Sequence, residues 1–252
     1  FPSVSLGYNI HRENFWEPLS DIINTLKIRG SYGKLGNQDV ASYLHLPGLP
    51  FSRRLNWILN GERPDYAGMP AIVSPEITWE NSFNRNIGID LGFLNNRLNA
   101  TFDIYDRKTE NMFGPSGALP AVLGTNPPQT NSASLITKGF ELEVNWRDRV
   151  SEDFSYNVTF MLADNVSEIT EYLNPDKVLS QWYVGQTIGE IWGWKTDGLY
   201  QTQEEVDSYL ETTDLSFLGT NWRPGTVKYL DLNGDGVVNE GSNTLSDHGD
   251  KR

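Results

Sequence analysis

The chain has 252 residues, no cysteine, a formal net charge of −13 and a pI near 4.6. That acidity excludes a nucleic-acid binder, which needs a basic stripe to neutralise phosphates, so no nucleic-acid partner is expected. Without cysteine there are no disulfides, no thiolate chemistry and no cysteine-ligated zinc. No run of ~18 apolar residues occurs, so no transmembrane helix is expected. A mean hydropathy of −0.47 is still compatible with a β-barrel, because its lumen and loops stay wet.

Alternation of apolar and polar residues is already running at Phe1 to Ile10, with no leader before it. Asp250-Lys251-Arg252 closes no element, so the sequence reads as an internal piece of a longer protein. Pro2 to Ile10 and Leu26 to Leu35 read as a strand pair, with one helical turn in the connector His11 to Thr25, which contains Phe15-Trp16 and Leu19 to Ile23. Gly36 to Glu80 is a long connector punctuated by Pro47, Pro50, Pro64, Pro70 and Pro75, which block extended ladders.

Four longer alternating stretches follow. Asn84 to Phe93 sets Ile87, Ile89, Leu91 and Phe93 against Asn86, Gly88, Asp90 and Gly92. Arg97 to Arg107 sets Leu98, Ala100, Phe102 and Ile104 against Asn99, Thr101, Asp103 and Tyr105. Lys138 to Arg147 sets Phe140, Leu142, Val144 and Trp146 against Glu141, Glu143 and Asn145. Phe154 to Asp164 sets Phe154, Tyr156, Val158, Phe160 and Leu162 against Ser155, Asn157, Thr159 and Ala163. Successive side chains of a strand face opposite sides, so each stretch has one oily and one wet face. A tilted strand crossing a bilayer needs about 9–11 residues, whereas soluble strands cluster near 5–6.

The links alternate in length. Leu94 to Asn96 and Asp148 to Asp153 are short, and Asn95-Asn96 suits a hairpin turn with positive φ. Lys108 to Thr137 is long and rich in Gly, Pro, Asn and Thr. Outer-membrane barrels have short periplasmic turns and long extracellular loops. Phe93, Trp146 and Phe154 flank the short links, where an interfacial aromatic girdle falls. The fold expected is all-β: an antiparallel transmembrane β-barrel segment with long extracellular loops and one short loop helix. Residues 1–164 supply barrel strands and loops, and residues 165–252 a large extracellular loop subdomain. A soluble β-sandwich also alternates and is the competing architecture.

In the distal segment, Thr202 to Glu211 reads as the helix, with Thr202 as N-cap and Val206, Tyr209 and Leu210 as its apolar stripe. Asp231-Leu232-Asn233-Gly234-Asp235-Gly236-Val237-Val238-Asn239 fits the first nine positions of a calcium loop. Its candidate metal ligands are Asp231, Asn233, Asp235, the Val237 carbonyl and Asn239, and its candidate cofactor is Ca²⁺. Position twelve is Ser242 rather than the bidentate glutamate, leaving Asp247 or Asp250 to complete the shell. Absent metal, an Asx-rich hairpin turn would have the same composition. Trp182, Tyr183, Trp192, Trp194 and Tyr200 form an aromatic cluster suited to a sugar or partner surface, or to a small core. Asp90, Asp103, Glu141 and Glu143 on the wet faces would make one lumen wall acidic. They sit where any wet lumen puts polar groups, His11, His45 and His248 share no metal spacing, and no nucleophile motif occurs, so no enzyme is expected.

Several motifs occur in series: Leu26-Lys27-Ile28-Arg29-Gly30-Ser31-Tyr32-Gly33 through Asn37-Gln38, and Thr78-Trp79-Glu80-Asn81 followed by Asn86 to Leu98. Tyr105 to Thr109, Pro120 to Gly124, Lys138 to Glu143, Gly189 to Gly193, Asp197-Gly198 and Pro224-Gly225 leading into Asp231 to Gly236 continue the series along essentially the whole chain. Together they resemble SusC/RagA-type TonB-dependent outer-membrane transporters. The resemblance implies a late portion of a 22-stranded barrel in the cell outer membrane, importing glycans or peptides with energy from TonB. It also implies a SusD-like lipoprotein capping the mouth, and outer-membrane lipid around the wall. The plug and TonB box lie outside the quoted motifs. The alternative is a secreted, calcium-stabilised carbohydrate-binding β-sandwich module.

Overall fold

The computed structural model describes residues 1–38, 43, 46–52, 58–75, 77–117 and 119–252. His45, named above, lies outside the described residues. The chain forms two compact units, Phe1–Leu173 and Asn174–Arg252.

The first unit is built on one six-stranded antiparallel sheet. Its strands are β1 (Ser3–Asn9), β2 (Ile23–Asn37), β5 (Glu80–Phe93), β6 (Leu98–Pro115), β7 (Gln129–Arg149) and β8 (Ser155–Glu171), each paired with the next in that order. Two short strands, β3 (Phe51–Ser52) and β4 (Tyr66–Ala67), pair within the long connector. The β1–β2 connector winds into 3-10 turns at Ile10–Arg12 and Asn14–Leu19, the second of which holds Phe15 and Trp16, and a further turn, with the Ile22 amide donating to the Leu19 carbonyl at 3.1 Å, leads into β2 at Ile23.

The alternation locates the strands, but their lengths exceed it. β6 and β7 run to Pro115 and from Gln129, so much of the expected loop Lys108 to Thr137 is hydrogen-bonded ladder. The ladder absorbs its irregularity in a bulge between Thr109 and Met112, where Asn111 takes φ +58°. The Asn131 amide then ties the segment together, donating to the carbonyls of Asn111 at 2.6 Å and Thr78 at 2.9 Å. β8 likewise continues past position 164 to Glu171.

Register puts the oily positions in rows across the sheet. Tyr8, Ile28, Ile89, Phe102, Leu142 and Leu162 form one row, and Leu26, Leu91, Ala100, Val144 and Phe160 the next. These rows have no opposing layer: Tyr8 is 54% exposed, Leu162 48% and Phe160 57%. The short links close as expected. Leu94, Asn95 and Asn96 all have positive φ, and the Asn24 carboxamide oxygen accepts from the Asn95 amide at 2.6 Å. Beside them, Trp146 Nε1 donates to the Tyr156 hydroxyl at 3.1 Å, and Phe154 stacks on Tyr156 with ring centroids 6.3 Å apart.

The second unit has little regular structure. It holds the hairpin β9 (Thr196–Leu199) with β10 (Val227–Tyr229) and the helix α1 (Gln203–Leu210). Thr202 caps α1 by accepting from the Glu205 amide at 3.2 Å, and Glu204 and Glu205 lie in the first turn, at the positive end of the helix dipole. Its core is small: Tyr183, Tyr200, Val206, Leu215 and Val238 are all buried. No helix among the described residues is long and apolar enough to cross a membrane, which says nothing of strands.

Candidate functional site

On the wet face of the sheet, Gly7, Arg29, Gly88, Asp103, Glu141 and Ala163 form one row, and Lys27, Asp90, Thr101, Glu143 and Met161 the next. The four expected carboxylates therefore do share a wall. Two of them are not free acids, however. Arg29 Nη2 meets Asp103 Oδ2 at 2.5 Å and its Nε meets Asp90 Oδ1 at 3.3 Å. Sequence reasoning missed Arg29, whose contact reaches across β5. The mid-strand glycine was the available signal, since a glycine there marks a close approach. A Cβ on Gly88 would lie 2.6 Å from Asp103 Oδ1 and 2.7 Å from Arg29 Cζ. Asp103 Oδ1 is buried without a hydrogen-bond partner among the described residues.

At the opposite end from the short links, a groove of about 790 Å³ separates the long connectors, lined by Leu49, Pro50, Met69, Ile72 and Pro127 among others. Its apolar walls and open shape suit a ligand or partner segment rather than a reaction.

In the second unit, the expected calcium loop has the sharp turns its glycines require, with φ +76° at Gly234 and +81° at Gly236. Asp231 accepts from the Gly234 amide at 2.6 Å and the Gly236 amide at 2.8 Å. Asn233 Oδ1 accepts from the Asp235 amide, Asp235 Oδ1 from the Val237 amide and Asn239 Oδ1 from the Gly241 amide. Val238 is buried and bonded by its amide to the Asp214 carbonyl at 2.9 Å, which ties the loop to the segment after α1. Among the described residues no three His, Cys, Asp or Glu side chains converge, so the loop's oxygens come from two carboxylates with carboxamides and a carbonyl.

Asp250 and Asp247 have other work. Asp250 is fully buried, and its oxygens accept from the amides of Leu232 at 2.7 Å, Asn233 at 3.3 Å and Asn239 at 3.0 Å. It clasps the two ends of the loop together. Asp247 Oδ2 accepts from the Ser242 amide and hydroxyl, which holds its carboxyl below the usual aspartate range.

The expected aromatic platform divides. Tyr183 and Tyr200 lie in the small core. Burial, then the hydrogen bond to Glu190, raises the Tyr183 phenol, and burial pushes Tyr200 up to about 12. Glu190 also accepts from Trp192 Nε1. Trp192 packs on His248 with centroids 5.1 Å apart, and Trp194 on Phe217 at 6.0 Å. Trp182 is exposed, as are Val184, Ile188 and Ile191 nearby.

The fold and these motifs can be set against known proteins. The family model "TonB dependent receptor-like, beta-barrel" matches residues 1–244. TonB-dependent receptor P3 of Formosa agariphila is 27% identical over 94% of this chain and 24% of its own length. TonB-dependent receptor SusC of Bacteroides thetaiotaomicron is 27% identical over 96% of this chain and 24% of its own length. The RagAB peptide importer in its open-open state has the same fold, with TM-score 0.62 at 22% identity over 79% of this chain and 22% of that one. The chain thus spans about a quarter of the length of the curated relatives it matches. With an unclosed sheet of long antiparallel strands and a family match over nearly its whole length, the chain belongs to the TonB-dependent receptor-like β-barrel family.

Proposed function

We propose that this chain is a wall segment of an outer-membrane, TonB-dependent nutrient importer for glycans or peptides. The observation that carries the proposal is the apolar face of the six-stranded sheet, whose rows from Leu26 to Phe160 and from Tyr8 to Leu162 have no protein layer over them. Only hydrocarbon makes such a continuous face favourable, and a closed barrel satisfies the sheet's remaining edges. The secreted sandwich requires a second sheet of comparable size, and the other sheet of the first unit among the described residues is the two-residue pair β3–β4. The similar proteins bear the names of receptors and an importer, which supports transport rather than catalysis.

In this reading, the short-link end with Trp146 and Tyr156 faces the periplasm, and the groove at Met69 and Ile72 faces outward, toward cargo and a SusD-like lipoprotein. TonB engages through parts of the transporter outside this chain. The second unit is an extracellular loop subdomain, with Trp182 and Trp192 on its partner-facing side. Its loop Asp231 to Asn239 holds Ca²⁺ as a structural ion, supported by oxygen donors at spacings a hard cation uses.

The test is extraction of the full-length protein. It should stay with the membrane through high-salt and alkaline washes and leave only in detergent. Release into plain buffer would end the importer reading.

A further inference from the structure

We infer that the wet face of the sheet carries a subsite for an uncharged oligosaccharide, with the Tyr105 ring as its platform. The inference rests on the importer reading, in which this face lines the lumen, and it narrows the cargo from glycans or peptides to glycans.

A groove of about 850 Å³ opens on this face, on the long-connector side of the Arg29–Asp103 pair. Asn86, Tyr105 and Asn165 line it and share one row of the ladder with Gly139. Gly139 is required by the ring rather than by its backbone. A Cβ there would lie 2.6 Å from the Tyr105 hydroxyl and 2.7 Å from its Cζ. The phenol therefore lies over the β7 backbone, along the wall rather than out from it, which leaves its outer face to the groove.

The polar groups around that ring are open. The carboxamides of Asn86 and Asn165, the Glu141 carboxylate and the Tyr105 hydroxyl make no hydrogen bond among the described residues. Arg107 donates from Nε to Asn84 Oδ1 at 2.7 Å, which fixes its guanidinium and leaves the terminal nitrogens unused. Arg107 and Glu141 stand in the rows on either side of Tyr105. The row from Asn86 to Asn165 crosses four strands, on the order of 14 Å, the length of a short saccharide rather than of a single ring. A sugar has an apolar C–H face and a rim of hydroxyls that both donate and accept. An aromatic face bordered by carboxamides, a carboxylate and a guanidinium matches both parts.

Charge and backbone select among cargoes. In the groove Arg107 offsets Glu141, and Arg85 and Asp106, whose side chains belong to the other face, offset each other. Toward the short links Asp90, Asp103 and Glu143 outnumber Lys27 and Arg29, which opposes an acidic sugar. An extended peptide needs a free strand edge, and β5, β6 and β7 are each paired on both sides. Nor is there an apolar pocket for peptide side chains, since Leu35 is the one aliphatic wet-face side chain lining the groove.

The test uses the full-length transporter in a detergent without a sugar headgroup, titrated calorimetrically. The probes are linear, uncharged glucan, xylan and mannan oligosaccharides, with an Ala-rich and a Lys-rich peptide of similar length. Wild type should bind at least one oligosaccharide and neither peptide. Tyr105→Ala should weaken that binding about 10-fold or more and Asn165→Ala about 3-fold or more, whereas Tyr105→Phe keeps the platform and should lose less than Tyr105→Ala. Asn165 is exposed on its strand, so its variant keeps the test valid if Tyr105→Ala fails to fold. Binding of no oligosaccharide, or of a peptide in preference, would overturn the inference, as would an affinity unchanged in either alanine variant. A protein that never needed detergent would take the importer reading down as well, whereas failure of the sugar arms alone leaves that reading standing.

Discussion

Arg29 on β2 and Asp103 on β6 meet at 2.5 Å over the bare backbone of Gly88 on the strand between them. The contact exists only because the middle strand offers no side chain.

That dependence is testable by coupling. Gly88→Ala should push the pair apart, and Arg29→Ala should leave the Asp103 carboxylate without its donor. Each should cost about 1–3 kcal/mol, the usual penalty for stranding a buried polar group. Because both remove the same contact, the double variant should cost clearly less than the sum. Denaturant unfolding of the full-length protein in detergent would measure this, and strict additivity would show that Gly88 does not act through the pair.

Millimolar Ca²⁺ should raise the unfolding temperature of the second unit, and Asp231→Ala or Asp235→Ala should abolish the rise. Identical melting in calcium and in chelator would remove the ion from the account. Ligand-linked stabilisation scales with occupancy, so the rise should saturate with calcium concentration.

The pH response of the second unit should have two limbs. Glu205 is held below its ordinary value by the Gln201 amide and then by Lys228, and Asp214 by the Ser216 amide. For groups so depressed, stability is present above the unfolded carboxylate range and disappears as pH falls through the folded value. Tyr200 is the opposite case: its phenol rises from 10.0 to about 12 through burial, so stability present below pH 10.0 is lost as pH climbs toward 12. Its hydroxyl has no hydrogen-bond partner among the described residues. Tyr200→Phe should therefore shrink the alkaline limb to the part that the raised Tyr183 phenol contributes, and gain about 1 kcal/mol at neutral pH. Hydrogen exchange at Val206 and Leu215 reports both limbs, and a destabilised Tyr200→Phe would mean that the hydroxyl is satisfied in solution.

The middles of the strands were legible because half of each sits against a uniformly apolar phase, which enforces a strict period of two from Ile87 to Phe93 and from Leu98 to Ile104. Beyond that phase both faces are wet, so residues such as Thr130 to Ser134 carry no period although Thr130, Asn131 and Ala133 pair with β6 and Ser134 with β8. The Thr202 cap and the positive-φ turn at Asn95 and Asn96 were legible because each is a local backbone requirement. The Arg29–Asp103 contact joins residues 74 positions apart, on strands that are not neighbours, and no local signal names such a partner. Asp250 was legible only as an oxygen near the loop Asp231 to Asn239; that its oxygens fasten backbone amides is a matter of tertiary geometry.

The 21 residues of β7 have a further consequence. At ~3.3 Å per residue and a tilt near 40°, such a strand rises on the order of 50 Å, about twice the ~25 Å apolar band of an outer-membrane barrel. The surplus forms a stiff collar standing in water. On the importer reading proposed above, whatever the mouth captures would be gripped well clear of the headgroup layer, on a rim that yields little when a bulky cargo leans on it.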